Sequence, residues 1–393
     1  MSVVTYTLAK CRKCLKCLRV CPVEAITMND ERVKINKSRC INCGKCVDVC
    51  VNQGLQAKGS TLAELEYYDV KIALFPSALI AAAPSLDQIE ELFGTIRGLG
   101  FDEVIDLSPY DGAIASEIYD QIKHQKDTYL ISSFCPVINR LIEGKYPMLL
   151  ENMIPPYRSA ELAARKIRLE TAKMDKKVGI FLLCECIAKL PSTRYPYGNS
   201  ENPIDHALSI VDLFPLISKE LGKSRMNVDP AADGLRLASN VHFGAKGIES
   251  RILKADGLEK VQLALDLAEF GQLKGRYYLH LSNCINGCVG GNLLWGNPFE
   301  ATQHINDHLK SAHNNNAQVV FETSEEILDE VNERKSIQER LYEYARISSQ
   351  LELLPGYDCG ACGYASCRRM AEEIVGGRTT LEDCRILRKG ETT

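Results

Sequence analysis

Two runs of cysteines near the start of the chain constrain its fold more than any other feature. Both runs have the spacing C-x2-C-x2-C-x3-C, and their members are Cys11, Cys14, Cys17 and Cys21, then Cys40, Cys43, Cys46 and Cys50. Three thiolates at that spacing can bind three corners of one iron–sulfur cube, while the fourth cysteine reaches a second cube. Pro22 directly follows the first run. The spacing therefore predicts two 4Fe–4S clusters in one small domain.

The two predicted clusters exchange their fourth ligands. By this rule the first cluster takes Cys11, Cys14, Cys17 and Cys50, and the second takes Cys40, Cys43, Cys46 and Cys21. Between the runs, Val33 and Ile35 alternate with charged residues, which predicts a small hairpin. Structural zinc is the alternative, but it needs only one or two C-x2-C pairs per ion and no proline. The pattern is that of bacterial two-cluster ferredoxins, and we predict a ferredoxin-like domain over residues 1–60.

A third cysteine group lies near the other end of the sequence. Its members are Cys359, Cys362, Cys367 and Cys384. Gly360 and Gly363 allow the backbone to approach the sulfurs and donate N–H groups to them. The group resembles the small iron–sulfur module of the RnfB electron-transfer subunit and of the corrinoid iron–sulfur protein, with a zinc knuckle as the alternative. We expect a small helical 4Fe–4S module over residues 353–393, preceded by a helical linker over 326–352.

Composition excludes several function classes. The 393 residues include 47 Lys and Arg against 51 Asp and Glu, so no basic excess points to a nucleic-acid partner. No apolar stretch approaches the roughly 20 residues of a membrane span, and the N-terminus resembles no signal peptide. We therefore expect a cytoplasmic protein, where its 17 cysteines are metal ligands rather than disulfides. Neither a G-x-G-x-x-G nor a G-x-x-x-x-G-K-[ST] motif is present.

The region between the two ends alternates strand and helix patterns. This alternation predicts an α/β domain over residues 61–325, with parallel sheets flanked by helices. The predicted strands are 71–74, 103–107, 129–132, 178–183 and 277–281, and the predicted helices are 86–99, 114–123, 159–171 and 261–270. In α/β sheets, functional residues lie beyond the carboxyl ends of strands. Four of the five remaining cysteines follow such ends, and the fifth lies one turn further on: Cys135, Cys184, Cys186 and Cys284, then Cys288.

Three segments of this region resemble the signatures of the FeFe-hydrogenase large subunit. They occur in the family's order as Ser-Ser-Phe134-Cys135-Pro136, Cys186-Ile-Ala-Lys189, and Asn283-Cys284-Ile-Asn-Gly-Cys288-Val-Gly290-Gly291. The later Asn297-Pro298-Phe299 is more similar to the sensory-type (HydS-like) branch than to the catalytic enzymes. The resemblance implies an FeFe-hydrogenase-like fold with two parallel sheets flanked by helices.

The resemblance also implies a set of ligands. Four cysteines of the family hold a cubane, and one of them bridges it to a two-iron subsite with CO and CN⁻ ligands. Carried over, the cubane ligands are Cys135, Cys186, Cys284 and Cys288, with Cys288 as the bridge. Lys189 would donate a hydrogen bond to a cyanide; the alternative is a surface charge or a local carboxylate partner. For the four cysteines the alternative is burial as apolar residues.

Several departures from the signatures fall where the two-iron subsite would lie. Active enzymes have a cysteine as proton donor where this chain has Phe134, which carries no exchangeable proton. Ile138 replaces a tryptophan, Cys184-Glu185 replaces Met-Pro, and Ser192 and Ser282 replace Glu and Met. Cys184 or Glu185 is a candidate for a substitute proton carrier. Four cubanes need sixteen cysteine ligands, and the chain has 17 cysteines. The remaining one, Cys184, is expected to be a packing residue.

These observations predict an electron-transfer subunit of a multi-subunit, hydrogenase-related oxidoreductase, more a non-catalytic relay than an enzyme. It would carry four 4Fe–4S clusters and exchange electrons with hydrogenase or flavoprotein subunits or with a ferredoxin. The alternative is a hydrogenase or H2 sensor with a complete two-iron subsite; a third reading is a scaffold with an empty central site. His304 and His308 share a helical face and are expected to be solvated, and Trp295 is expected in the core.

Overall fold

The computed structural model describes residues 2–29, 32–125, 129–155, 157–193, 202–245, 247–319, 321 and 337–389. The chain forms two compact units, one of Met1–Ala57 with Leu328–Thr393 and one of Lys58–Ile327. Both ends of the sequence therefore belong to the same unit. The predicted linker over 326–352 lies partly outside the described residues, and the division into four domains stays a prediction.

The N-terminal part of the first unit consists of short elements around the cysteine runs. They are β1 (Val4–Tyr6), α1 (Lys16–Arg19), β2 (Ile26–Asn29), β3 (Arg32–Ile35), α2 (Lys45–Asp48) and β4 (Leu55–Ala57). Strands β2 and β3 pair antiparallel, with Ile26 opposite Ile35, which confirms the predicted hairpin. Leu15 and Gly44, both with left-handed backbone, precede α1 and α2 and turn the chain between successive cysteines.

The second unit alternates strands and helices, as the sequence predicts. Its elements are β5 (Val70–Phe75), α3 (Ser77–Ile80), α4 (Leu86–Gly98), β6 (Glu103–Asp106), α5 (Ser108–His124), β7 (Leu130–Ile131), α6 (Pro136–Lys145), α7 (Ser159–Thr171), β8 (Val178–Cys184), β9 (His206–Ser209), α8 (Ile210–Glu220), α9 (Ala232–Ala238), β10 (Ile252–Asp256), α10 (Leu258–Glu269), β11 (Tyr278–Ser282) and α11 (Pro298–His308).

These strands form two parallel sheets with the orders β6-β5-β8-β9 and β10-β11-β7. The fold class predicted from the sequence, α/β with two parallel sheets flanked by helices, is confirmed. All seven residues of β8 are buried, because helices cover both faces of the sheet. The largest apolar core, which includes Phe75, Phe93 and Phe181, fills the space between the four-stranded sheet and its helices.

Two expectations about single side chains on α11 and nearby are wrong. His304 and His308 are half-buried rather than solvated, because each ring bonds to a backbone carbonyl of the segment after α3: Nδ1 of His304 lies 2.9 Å from the oxygen of Ala81, and Nε2 of His308 lies 2.8 Å from that of Ala83. Trp295 is half-buried at the edge of the main core and not inside it.

The C-terminal part of the first unit is helical, as predicted. Its helices are α12 (Ile337–Glu352), α13 (Cys367–Val375) and α14 (Arg385–Lys389). Helix α12 packs on α13 around a small core that contains Leu354, Tyr364 and Met370. Within the described ranges, no helix combines the length and the apolar character that crossing a bilayer requires.

Candidate metal centres

Four cysteines of the N-terminal part surround one pocket of about 360 Å³. They are Cys21, Cys40, Cys43 and Cys46, the set predicted for the second cluster. The backbone N–H of Ala25 donates to the sulfur of Cys21 at 3.2 Å. Burial, with smaller contributions from the nearby Cys21 and Cys40, raises the pKa of Cys43 to about 12. The crossed pairing, in which the last cysteine of the first run joins the second run, is thus present in the geometry.

The set predicted for the first cluster is also brought together. Burial raises the pKa of Cys17 to about 11, and the neighbouring thiols of Cys14, Cys50 and Cys11 add to that increase. The backbone N–H of Lys13 donates to the sulfur of Cys11 at 3.4 Å. Cys14 is the exposed member of the group.

The C-terminal cysteines line a pocket of about 300 Å³. All four predicted members, Cys359, Cys362, Cys367 and Cys384, contribute to it. Asp358 accepts a hydrogen bond from the backbone N–H of Cys367 at 2.6 Å, and the Ser366 hydroxyl caps α13 by accepting from Arg369 N–H at 3.0 Å. These contacts fix the loop that carries three of the cysteines.

Crowded, buried thiols of this kind suit an iron–sulfur cluster. Ionising several of them in one pocket is costly because burial and mutual repulsion both oppose it, and iron ions remove both costs by replacing the protons. The backbone N–H groups near sulfur are the donors expected around a bound cluster. Among the described residues, no three or more His, Cys, Asp or Glu side chains are arranged around a single metal ion.

The C-terminal loop packs directly on the N-terminal hairpin within the first unit. The backbone N–H of Met28 donates to the carbonyl of Gly363 at 2.8 Å. Arg39, next to Cys40, forms an ion pair with Glu372 of α13 at 3.1 Å. Gly363 has φ +87°, and a Cβ there would lie 1.9 Å from the carbonyl oxygen of Met28. Only glycine therefore permits this close approach of the two backbones.

The central cysteines lie at the carboxyl ends of strands from both sheets of the second unit. Cys135 follows β7, Cys186 follows β8 and Cys284 follows β11. Burial raises the pKa of Cys284 well above its usual range, and the nearby Cys186 and Cys135 contribute to the increase. Cys288 is likewise close to Cys186 and Cys135. The four residues predicted as cubane ligands thus meet at one place, as expected at the carboxyl edge of parallel sheets.

The turns that carry these cysteines are locked to one another. The backbone N–H of Leu293 donates to the carbonyl of Glu185 at 3.0 Å. A Cβ at Gly291 would lie 2.3 Å from that same oxygen, so glycine is required there. Asp256, at the end of β10, accepts from the backbone N–H of Asn286 at 2.8 Å and holds the turn between Cys284 and Cys288.

A charged pocket of about 730 Å³ adjoins Cys288. Its lining includes Phe134, Glu185 and Lys189, together with Asp111, Arg158 and Glu161. The Lys189 ammonium donates to Oε1 of Glu185, whose side chain is 1% exposed. Lys189 thus has a local carboxylate partner, and its role as a donor to a cyanide stays a prediction. Cys184, by contrast, is fully buried as the last residue of β8.

Phe134 is held in an aromatic stack beside Cys135. Its ring lies 4.6 Å from that of His280, and His280 in turn stacks on Phe243 at 3.8 Å. His280 is fully buried, and neither of its ring nitrogens has a hydrogen-bond partner. Burial lowers its pKa well below the usual range, so the ring is neutral. The benzyl group thus has a fixed position at the site where the signature has a thiol.

Sequence reasoning missed several residues of this pocket. Asp111 accepts a hydrogen bond from the Ser77 hydroxyl at 2.5 Å, and Arg158 pairs with Glu161 at 3.7 Å. In the sequence, the only indication that Arg158 and Glu161 pair is their spacing of three residues at the start of α7. For His280 there was none, because a histidine inside an apolar strand pattern is usually a core residue.

Solved FeFe-hydrogenases are among the structures to which the chain is similar, at low sequence identity. A variant of the enzyme from Chlamydomonas reinhardtii has 15% identity and a TM-score of 0.47, and covers 68% of this chain and 92% of that one. A structure described under FeFe-hydrogenase oxygen inactivation has 16% identity and a TM-score of 0.45, and covers 63% and 87%.

Two curated relatives match short stretches of the chain. Hydrogenase-4 component A of Escherichia coli is 46% identical over 44 residues, which is 11% of this chain and 22% of that protein. NADH-quinone oxidoreductase subunit I 2 of Geobacter metallireducens is 36% identical over 66 residues, 14% of this chain and 50% of that protein. The chain therefore spans between about a fifth and a half of the length of these relatives.

Three family models match in sequence order. A 4Fe-4S dicluster domain covers residues 4–51, the C-terminal domain of the iron-only hydrogenase large subunit covers 75–231, and a putative Fe-S cluster family covers 354–386. The middle match includes Cys135 and Cys186 and ends before Cys284. Residues 75–231 are thus similar to the iron-only hydrogenase large subunit, with a ferredoxin-type domain before them and an iron–sulfur module after them. The matched domains are of iron–sulfur and hydrogenase-related kinds.

Proposed function

We propose that the chain is an electron-transfer subunit of a larger oxidoreductase and performs no H2 chemistry itself. Four 4Fe–4S clusters, when bound, would each take up and release single electrons. Their ligands would be the two crossed sets of the N-terminal domain, the C-terminal set and Cys135, Cys186, Cys284 and Cys288. A two-iron subsite would be absent.

The ion pair between Glu185 and Lys189 carries this proposal. An anionic cyanide ligand would need the Lys189 ammonium as its donor in a pocket with little water. In this chain the ammonium already donates to a buried carboxylate on the same side of the pocket. A diatomic anion placed there would also be repelled by Glu185, because repulsion between like charges is strong where water is scarce.

The aromatic stack adds a second argument. H2 formation or cleavage needs a group that gives or takes a proton next to the metal. The Phe134 ring has no such proton, and its stack on His280 prevents it from moving aside easily. Cys184 is no substitute, since burial raises its thiol pKa well above the usual range.

The partners we propose are the other subunits of a redox complex, a hydrogenase or flavoprotein subunit, or a ferredoxin. The printed names of the two curated relatives, a hydrogenase-4 component and a subunit of an NADH-quinone oxidoreductase, support the complex. The packing of the C-terminal loop on the hairpin suggests that three of the four clusters would belong to one unit.

A comparison of two reductants tests the proposal. Anaerobically purified protein, coexpressed with the hydrogenase maturation proteins, is exposed to H2 or to dithionite while its visible absorption is followed. We expect dithionite to bleach the iron–sulfur absorption and H2 to leave it unchanged. Bleaching by H2 alone, without added hydrogenase, would contradict the proposal.

A hydrogenase or H2 sensor with a complete two-iron subsite remains the second candidate. One observation favours it: all four cysteines that would hold its cubane lie together beside the pocket. It requires about 18 irons per chain rather than about 16. Iron and protein determination on fully matured protein distinguishes the two.

A further inference from the structure

We infer that an acidic one-electron carrier protein docks on the basic surface around Cys14. This inference rests on the proposed electron-transfer function and adds the place and the charge of the partner. The basic surface consists of five side chains, Lys10, Arg12, Lys13, Lys16 and Arg19.

All five cationic residues are exposed. They occur within ten residues, and residues 8–20 contain no Asp or Glu. The nearest acidic residues are Glu24 along the chain and Asp48 on α2, the helix packed beside α1. The surface is strongly positive although the whole chain has a formal net charge of −4. Such a local excess attracts an oppositely charged partner and accelerates its encounter.

The position of the surface selects a redox partner over other anions. The five cations flank Cys14 in the sequence, and Cys14 is the exposed member of its cysteine group. A protein bound here would bring its own redox centre next to the least buried edge of the predicted first cluster. A membrane or a nucleic acid would gain nothing from that position.

A second exposed ligand provides an internal contrast. Cys359 is also exposed, but its loop from Leu354 to Ser366 contains one acid, Asp358, and no Lys or Arg. The pocket of that cysteine group is lined by one cation, Arg385, against the five cations of the basic surface. We therefore expect the edge at Cys14 to attract an acidic protein more strongly. We expect electrons to be exchanged with the soluble carrier at that edge.

Stopped-flow kinetics on the full, cluster-loaded chain tests the inference. The probe is a reduced plant-type 2Fe–2S ferredoxin, an acidic carrier, and the second-order rate constant is measured at low and high salt. Arg12→Glu/Lys16→Glu should lower the low-salt rate constant about tenfold and flatten its salt dependence. The matched control is Lys219→Glu/Lys274→Glu, which changes the charge equally at exposed positions of the other unit.

Three results would overturn the docking proposal. The first is an unchanged rate constant in Arg12→Glu/Lys16→Glu at normal iron content. The second is an equal loss in the control. The third is that Arg12→Glu/Lys16→Glu keeps the rate constant of the wild type but no longer cosediments with phosphatidylserine vesicles. That result would show that the surface binds lipid. If reduced methyl viologen, a cationic mediator, also fails to reduce the wild-type protein, the proposed electron-transfer function fails as well.

Discussion

At the scale of single residues, the pair of Glu185 and Lys189 determines what the central pocket can bind. Both charges lie in a pocket formed by turns that follow strand ends, and the carboxylate is almost completely shielded from water. Their mutual attraction replaces the hydration that each lost on folding. The protein itself therefore supplies a charged partner for Lys189.

Glu185→Gln tests this pair. The variant removes the hydrogen-bonded counter-charge of a largely buried ammonium and leaves Asp111 as the nearby carboxylate, and we expect a loss of about 3 kcal/mol in the free energy of unfolding. Adding Lys189→Met should recover most of the loss, because no unpaired charge remains. Asp307→Asn, which breaks the exposed Lys310–Asp307 pair, is the control and should leave the thermal midpoint unchanged. A normal midpoint for Glu185→Gln would mean that something else neutralises Lys189.

Gly363 gives a second prediction at this scale. Gly363→Ala places a methyl group against the Met28 carbonyl, so the hydrogen bond between the C-terminal loop and the hairpin should break. We expect the amide of Met28 to exchange with deuterium at least about tenfold faster. Gly377→Ala is the control, because Gly377 also has positive φ (+69°) but has no atom near its added Cβ. If the Met28 amide exchanged equally fast in both variants, the cause would be backbone strain at the substituted glycine and not contact with the Met28 carbonyl.

At the scale of elements, the start of α5 predicts a pH effect. Burial raises the pKa of Asp106, the last residue of β6, to about 7 although Ser108 donates two hydrogen bonds to its carboxylate. The folded protein thus holds a proton that the unfolded chain releases above about pH 4. This contribution to stability is complete below about pH 4 and is lost as the pH rises to about 7.

Asp106→Asn should remove that contribution. Its side chain is neutral at every pH and can still accept from the backbone N–H of Ser108. The thermal midpoint of the wild type should fall between pH 5 and pH 7.5 by more than that of the variant. The same fall in both proteins would show that Asp106 does not titrate in this range.

Much of the element pattern was predictable, and the exceptions have physical causes. Helix α7 begins and ends at the predicted residues because its apolar positions keep strict helical spacing. Strand β10 was missed because Leu253 and Lys254 on it are exposed and the strand lies at a sheet edge, so its apolar pattern is weak. Strand β9 was missed because it has only four residues and leads directly into α8. So short a strand shows too little two-residue alternation to be told from the helix that follows.

At the scale of the whole molecule, the sequence predicted the ligand groups but not their assembly. The cysteine groups near the two ends were predictable from local spacing, whereas the central group was predicted from strand ends and the resemblance. The contact between Met28 and Gly363 joins residues far apart in sequence, and no local pattern records it. The spacing of four residues between Glu185 and Lys189 indicated that they could pair. That both side chains enter the same pocket depends on where β8 ends, which the spacing does not show.

The count of irons tests the ligand assignment across the molecule. Four clusters require about 16 irons per chain. Cys135→Ala should reduce this to about 12, because the central group loses a ligand. Cys184→Ala is the matched control and should keep all of them, since that thiol is enclosed in β8. Equal iron loss in both variants would contradict the assignment, and no loss in Cys135→Ala would indicate a central site without a cluster.

Infrared spectroscopy tests the central claim most directly, because cyanide and carbonyl ligands on iron absorb where protein does not. The sample is the full chain, coexpressed with the maturation proteins that build the two-iron subsite and purified without oxygen. We predict a spectrum with no cyanide or carbonyl bands, since Lys189 already has a buried carboxylate as its partner and Phe134 replaces the acidic thiol. Bands of both ligands, at an intensity matching one subsite per chain, would contradict it.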